Sequence, residues 1–170
     1  MQVRPAELTD ATEIANIYNA EVLGSIATFD LVPRSLEDQL HWLQERSGAF
    51  ACVVAEDDRQ VIGWASLSPY RPKPAYSTSV ENSIYVDRDH HGEGVGNALL
   101  GQLMTIADDH GFHSVFARII DGQPASVELH RKHGFVEIGI EREVGRKFGR
   151  WHDVLLMQRL ATTTPPSAFQ

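Results

Sequence analysis

Three glycines, Gly92, Gly94 and Gly96, stand between a strand-like run and a helical run of the sequence. The first turn of a helix has backbone N–H groups with no partner inside the helix, and the helix dipole makes that end positive. Because glycine has no Cβ, the backbone of such a turn can come close to an anion. The pattern is typical of a site that holds phosphate groups.

Two other phosphate-binding motifs fit this glycine turn (residues 91–96) less well. A dinucleotide-binding motif would need a βαβ unit near the N-terminus and an acidic residue about 20 positions further on. A Walker A loop would need Gly-Lys-Ser or Gly-Lys-Thr, whereas the chain has Gly96-Asn97-Ala98. A turn that is rich in glycine for structural reasons alone remains an alternative, because short motifs of this kind are weak.

The sequence contains no motif with the residue spacing of a metal site. Asp87, His90 and His91 lie close together, but their spacing matches no zinc motif. Cys52 is the single cysteine, so the chain has no cysteine cluster and no intramolecular disulfide. We therefore expect no metal site.

The elements around the glycine turn follow from hydrophobic periodicity. Alternation predicts a strand over residues 79–86, in which Glu81 faces away from Asn82 and Ile84. After the turn, a helix is expected to end at Gly111, which suits the residue just past a helix C-terminus. Its apolar residues recur at helical spacing: Val95, Leu99, Leu103 and Ile106.

The remaining elements complete a mixed α/β pattern. Further helices are expected from a capping box of Asp10 and Glu13, from Ser35, and from Pro124 to Gly134. Further strands are expected over residues 50–55, 61–67, 114–120, 135–140 and 154–160. The order α-α-β-β-β-α-β-α-β-β predicts one α/β domain over residues 1–161, followed by a loose tail over residues 162–170.

Size and charge limit the partners. The chain has 170 residues, a net charge of −8 and a pI of about 5.4. Binding to nucleic acid or to an anionic membrane needs a basic face, so neither is expected. No apolar stretch approaches the ~18 residues of a membrane span, and the N-terminal residues have no apolar signal core. We expect a cytoplasmic protein.

Residues 86–100 place the glycine turn between a strand and a long helix, and residues 125–135 form a helix that ends in Gly-Phe. Together they resemble the two signatures of the GCN5-related N-acetyltransferase family, whose acetyl-CoA loop reads Gln/Arg-x-x-Gly-x-Gly/Ala. Residues 27–29, 80–86 and 145–153 resemble its phosphinothricin and methionine sulfoximine acetyltransferase branch, and the likeness runs over residues 3–160. The resemblance implies a mixed, mostly antiparallel sheet flanked by helices, acetyl-CoA as the acyl donor, a small amine as the acceptor, and a homodimer.

The resemblance also implies catalytic roles. Acyl transfer needs a neutral amine, and a nearby carboxylate can take the proton from an ammonium group. Glu81 matches the glutamate that the branch is held to use as this base, the alternative being a solvated edge residue. His130 matches the position from which many members protonate the leaving thiolate, and it could instead position the site or only pack.

The residues implied at acetyl-CoA come from three segments. The strand contributes its backbone at Ile84, Tyr85 and Val86. The glycine turn contributes His91, Gly92, Glu93, Gly94, Val95, Gly96 and Asn97, and the later helix contributes Gln123 and Ser126. His91 stands where the family usually has Gln or Arg, Glu93 where a basic or neutral residue is common, and Gln123 where Asn is usual.

The acceptor side rests on Arg71. A guanidinium can bind a carboxylate through two parallel hydrogen bonds, and Arg71 matches an Arg-Pro pair of the branch, so it predicts an amino-acid-like acceptor. A surface arginine is the alternative. The other candidates are Pro72, Lys73, Thr28, Phe29 and Tyr76, with Lys73 in place of an aromatic residue. A peptide N-terminus or a polyamine as acceptor, and an acyl-CoA-binding domain without catalysis, remain open.

Overall fold

The computed structural model describes residues 1–46 and 48–161, so the tail predicted over residues 162–170 lies outside the described residues. The helices in the described part are α1 (Ala11–Gly24), α2 (Leu36–Gln44), α3 (Val95–Asp109) and α4 (Pro124–Lys132). The strands are β1 (Gln2–Pro5), β2 (Cys52–Asp57), β3 (Gln60–Pro69), β4 (Ser79–Val86), β5 (Ser114–Ile120), β6 (Val136–Lys147) and β7 (Arg150–Leu160). The order matches the predicted α/β pattern, with one strand added at its start.

The described strands form one sheet in the order β1-β2-β3-β4-β5-β7-β6. Neighbouring strands are antiparallel, except that β4 and β5 are parallel. These two pair over three residues, from Ser79 with Ser114 to Glu81 with Phe116. Beyond Glu81 no further pair joins them, so a gap opens between β4 and β5 in the middle of the sheet. The mixed, mostly antiparallel sheet flanked by helices is confirmed.

A hydrophobic core covers each face of the sheet. Ile14 and Tyr18 of α1 pack on one face with Trp64, whereas Leu99 and Leu103 of α3 pack on the other. Val53 and Val54 are neighbours in β2, yet they belong to opposite cores. The central strands are therefore buried on both faces. Close packing on both sides fixes the positions of the strands that border the gap between β4 and β5.

Several local predictions are confirmed. The polar residues 57–60 between the two predicted strands indicate a hairpin, and the β2–β3 hairpin turns there through Asp58 and Arg59, both with positive φ, as a tight two-residue turn requires. Ser35 caps α2 by accepting a hydrogen bond from the Asp38 N–H at 3.1 Å. Gly111 and Gly134 follow the ends of α3 and α4 with φ of +74° and +83°.

The capping box predicted from Asp10 and Glu13 is wrong. Asp10 stands at the start of α1 but makes no side-chain capping bond there. Its buried carboxylate accepts two hydrogen bonds from the Arg4 guanidinium, at 2.8 and 2.9 Å, and one from the Glu7 N–H. A buried carboxylate needs a charged partner, and Arg4 on β1 is close enough to supply it.

Two strand predictions also need correction. Strand β1 is not among the predicted strands; it has four residues and ends in a proline, which makes it hard to recognise from hydrophobic alternation. The closing strands extend to Lys147 and back to Arg150, so they are longer than predicted. Half of this hairpin is solvent-exposed and its register shifts between Glu141 and Gly145, which hides the two-residue alternation.

No helix in the described part of the chain is long and apolar enough to cross a membrane.

Candidate active site

Two cavities lie along β4, where it separates from β5. The first, the glycine-turn cavity, has a volume of about 430 Å³ and reaches from Ile84 to the glycine turn and the start of α4. The second, the Glu81 cavity, has a volume of about 200 Å³. They share lining residues: Ala27, Ile84, Tyr85, Gln123 and Ser126. A ligand that follows β4 can therefore reach from one cavity into the other.

The glycine turn brings backbone N–H groups to the first cavity. Gly92 and Gly94 have φ of +84° and +85°, a conformation that side chains disfavour, and a Cβ on either would meet no atom within 4 Å. Gly94 is the N-cap of α3 and supplies no side-chain cap, so the N–H groups of the first turn stay available to an anion. Gly96 serves packing instead, since its Cβ would lie 3.2 Å from the Leu129 side chain on α4.

The acidic residue in this turn contacts a neighbouring histidine and is not itself part of the cavity lining. Glu93 is absent from the cavity lining, and its carboxylate lies 2.9 Å from Nδ1 of His90. That contact raises the pKa of His90, because the carboxylate favours the charged imidazole. Asn97 is also outside the lining and contacts Nε2 of His133 at 3.0 Å. The structure therefore brings neither predicted side chain to the cavity.

The remaining predicted residues do line the glycine-turn cavity: Ile84, Tyr85, Val86, His91, Gly92, Gly94, Val95, Gly96, Gln123 and Ser126. The Asp87 N–H donates to the Ile62 carbonyl on β3. Because backbone groups alternate sides along a strand, Tyr85 faces β3 as well, whereas the backbone of Ile84 and Val86 faces the gap. Sequence reasoning missed other lining residues: Glu21, Ala27, His90, Gly122, Pro124, Ala125 and Leu129.

Glu81 lies at the last β4–β5 pair and lines the second cavity, half-buried. Burial raises the pKa of its carboxyl, because removal from water disfavours the charged form. The positive charge of Arg118 acts in the opposite direction, and the negative charge of Glu141 adds to the rise. A carboxylate with a raised pKa holds a proton more firmly, so it is a better base than an exposed one.

His130 joins three elements beside the gap. Its ring is 2% exposed, with Nδ1 at 2.8 Å from the Ser126 carbonyl and Nε2 at 3.0 Å from Oδ1 of Asn82. Asn82 in turn donates through Nδ2 to the Phe116 carbonyl at 2.9 Å, which bridges β4 to β5 where their pairing ends. Burial lowers the pKa of His130. Both partners are oxygen acceptors and a neutral imidazole carries one N–H, so the ring donates to one of them at a time. Its buried position between Ser126 and Asn82 favours a positioning role over thiolate protonation.

Thr28 and Phe29 line the Glu81 cavity as predicted. Lys147, which is 3% exposed, donates to the Thr28 carbonyl at 2.8 Å and ties the β6–β7 hairpin to this wall. Burial lowers the pKa of Lys147. The Phe29 ring packs on Gly145, where a Cβ would lie 2.2 Å from a ring carbon, so no larger residue fits there.

Arg71 does not line either cavity, and neither do Pro72, Lys73 and Tyr76. The Arg71 guanidinium lies 4.9 Å from the centre of the Tyr70 ring, which stacks on Phe116 at 4.0 Å. Arg118 is the arginine that the structure brings into the Glu81 cavity. A single charged residue inside the apolar run of residues 114–120 is the sequence signal that could have found it.

No group of three or more His, Cys, Asp or Glu side chains among the described residues is arranged to hold a metal ion.

Comparisons with known proteins agree with this architecture. The model of the acetyltransferase (GNAT) family matches residues 13–135. A phosphinothricin N-acetyltransferase of Streptomyces coelicolor is 38% identical, over 94% of this chain and 95% of its own. An L-methionine sulfoximine/L-methionine sulfone acetyltransferase of Pseudomonas paraeruginosa is 37% identical, over 92% of each chain.

A solved structure extends the likeness to three dimensions. It is a phosphinothricin acetyltransferase from Sinorhizobium meliloti in complex with AcCoA, 35% identical, with a TM-score of 0.92 over 98% of this chain and 94% of that one. Since both the family model and near full-length relatives match, this chain belongs to the acetyltransferase (GNAT) family.

Proposed function

We propose that this protein transfers an acetyl group from acetyl-CoA to the amine of a small, amino-acid-like acceptor, with Glu81 as the general base. The observation that carries the proposal is the position of Glu81, a carboxyl with a raised pKa in a cavity that adjoins the glycine-turn cavity. The names of the relatives, which include phosphinothricin and methionine sulfoximine acetyltransferases, support this acceptor class.

The glycine-turn cavity fits acetyl-CoA. The open positions at Gly92 and Gly94 and the uncapped start of α3 suit a pyrophosphate. The backbone of Ile84 and Val86 faces the gap, where an extended pantetheine chain can take hydrogen bonds that β5 does not. The Val86 carbonyl lies 3.1 Å from Nε2 of His91, so the pantetheine would share or replace that contact. When bound, acetyl-CoA supplies a thioester whose carbonyl carbon can accept an amine.

Glu81 removes the proton that blocks this reaction. An ammonium group has no lone pair, so the acceptor must lose a proton to the carboxylate, directly or through one water, before or during attack. The nitrogen then bonds to the acetyl carbon, the carbon–sulfur bond breaks, and the sulfur leaves as a thiolate, while the second proton that the nitrogen must lose to become an amide passes to that thiolate or to water. A thiol of this kind has a pKa of about 8.5, so it leaves without much help from an acid. This agrees with the positioning role inferred for His130.

A panel of acceptors tests the function through release of the coenzyme thiol. We expect turnover with phosphinothricin, methionine sulfone and methionine sulfoximine, and much less with spermidine or with a peptide that has a free N-terminus. Faster turnover of spermidine or of the peptide would show that the acceptor is a polyamine or a peptide N-terminus rather than an amino acid. Binding of acetyl-CoA without thiol release on any acceptor would instead indicate a non-catalytic domain.

A further inference from the structure

Arg118 stands apart from the other positive charges of the chain, because it is the only Lys or Arg that lines the Glu81 cavity among the described residues. It lies on β5, and its side chain is 36% exposed. Its guanidinium pairs with the carboxylate of Glu141 on β6, with one contact at 3.3 Å and a second, shorter one. Arg118 thus lines the Glu81 cavity while its guanidinium is already paired with a carboxylate.

The register of the sheet brings Arg118 to the same face as Glu81. Glu81 pairs with Phe116, and Arg118 follows Phe116 by two residues, so all three side chains point to one side. Two residues along a strand span roughly 7 Å, and this step runs into the gap rather than away from it. The positive charge of Arg118 also reaches Glu81, since it lowers the pKa of that carboxyl against the effect of burial.

A base and a cation on one face match the two charged groups of an α-amino acid, which sit on the same carbon atom. The amine would approach Glu81 while the carboxylate meets the guanidinium fork, a planar donor pair that binds carboxylates with two hydrogen bonds. Arg71, the residue expected from the sequence for this task, lies over the Tyr70 ring outside the cavity lining.

We propose that Arg118 anchors the carboxylate of the acceptor and that Glu141 occupies the guanidinium when no acceptor is bound. The inference rests on the proposed function and adds the residue that selects the substrate class. Glu141 is 34% exposed and stands where the β6–β7 register shifts, so its carboxylate can yield to a substrate without disturbing the core. Glu141 is then an internal competitor of the acceptor.

The test compares an amino-acid acceptor with its methyl ester, taking each variant-to-wild-type ratio within one substrate. Arg118→Met keeps an unbranched side chain similar to the aliphatic part of arginine and removes the fork. It should lower kcat/KM for the acid about 10- to 100-fold more than for the ester, because any change through the pKa of Glu81 acts on both substrates alike, and it should spare the KM for acetyl-CoA. Arg131→Ala is the matched control, because Arg131 also pairs with carboxylates, those of Glu128 and Glu137, outside both cavities. It should change neither substrate.

Glu141→Gln provides a second test that does not remove the arginine. Without the competing charge, the KM for the acid should fall roughly two- to fivefold, the size of an exposed ion pair, and the ester should not respond. If Arg118→Met does not fold, Glu141→Gln decides the question. An unchanged KM for the acid in Glu141→Gln then overturns the proposal. Equal losses on acid and ester in Arg118→Met also overturn it, as does an acid-specific loss confined to Arg71→Ala.

The failure of this assignment differs from the failure of the proposed function. A wild-type enzyme that turns over no carboxylate-bearing amine contradicts both. Normal turnover of the acid by folded Arg118→Met contradicts the role of Arg118 alone and leaves the acetyltransferase proposal standing.

Discussion

At the scale of single residues, Glu81 combines a function with a thermodynamic penalty. Its raised pKa has desolvation as the largest cause, so the folded protein favours the protonated form more than the unfolded chain does. The stabilising contribution of the protonated group is fully present below the ordinary carboxyl pKa and is lost as pH rises through the higher folded value. At neutral pH the ionised carboxylate is therefore kept for catalysis at the expense of stability.

Glu81→Gln should separate these two effects. The amide keeps the shape but cannot accept a proton, so kcat should fall by about 10²–10⁴ at neutral pH. The deficit should shrink as pH rises and free amine becomes available. The melting temperature at neutral pH should rise, with the gain disappearing as pH falls through the carboxyl range. Rates and melting curves over pH check both parts, and equal activity of variant and wild type at neutral pH would contradict the base assignment.

His130 and Asn82 show how one residue's chemistry depends on another's orientation. Nδ2 of Asn82 donates to the Phe116 carbonyl, which leaves Oδ1 facing His130. The opposite amide orientation would leave that carbonyl, the last one before the gap, without its partner. His130 therefore contacts, through Asn82, the point at which β4 and β5 separate. It acts on the site through that one residue.

At the scale of elements, the glycine turn makes a prediction with an internal control. Gly94 and Gly111 lie at opposite ends of α3, have similar positive φ, and leave open space where a Cβ would stand, with no atom within 4 Å. Valine at either position should cost about 1–2 kcal/mol or more of stability, because side chains disfavour this conformation. Acetyl-CoA should raise the melting temperature of wild type and of Gly111→Val by mass action, but not that of Gly94→Val.

The same measurement tests cofactor choice. NAD and ATP should give no comparable shift with the wild-type protein. A full acetyl-CoA shift in folded Gly94→Val would remove the glycine turn from the cofactor site.

Local signals decided which elements could be predicted. The glycine turn and the helix ends at Gly111 and Gly134 depend on neighbouring residues, and the structure has them as expected. The Asp10 carboxylate goes instead to Arg4, on a strand too short to recognise from the sequence. Arg118 reaches the Glu81 cavity only because β5 is parallel to β4 in this register. The lone charge in the apolar run of residues 114–120 singles out Arg118 in the sequence, but the residues that it faces depend on long-range pairing, which leaves no local pattern.

At the scale of the whole molecule, one edge of the sheet carries an apolar surface. β6 is an edge strand, and an exposed edge invites pairing or cover unless charge protects it. The β6–β7 hairpin exposes large apolar side chains: Val136, Ile138, Ile140, Val144, Phe148 and Trp151. Such a surface is typical of a protein contact, which supports the homodimer that the sequence resemblance implies.

We therefore expect a particle of twice the 18.9 kDa chain mass in solution. Trp151 is 60% exposed, and a large aromatic side chain at the centre of a contact contributes strongly to it, so Trp151→Glu should shift the mass toward the monomer. Leu8→Glu, at the β1 side of the sheet and 48% exposed, is the matched control and should remain a dimer. Light scattering during size-exclusion chromatography measures both masses. A wild-type protein that stays monomeric at every concentration would contradict the dimer. A dimer that Trp151→Glu leaves intact would show that the contact lies elsewhere on the chain.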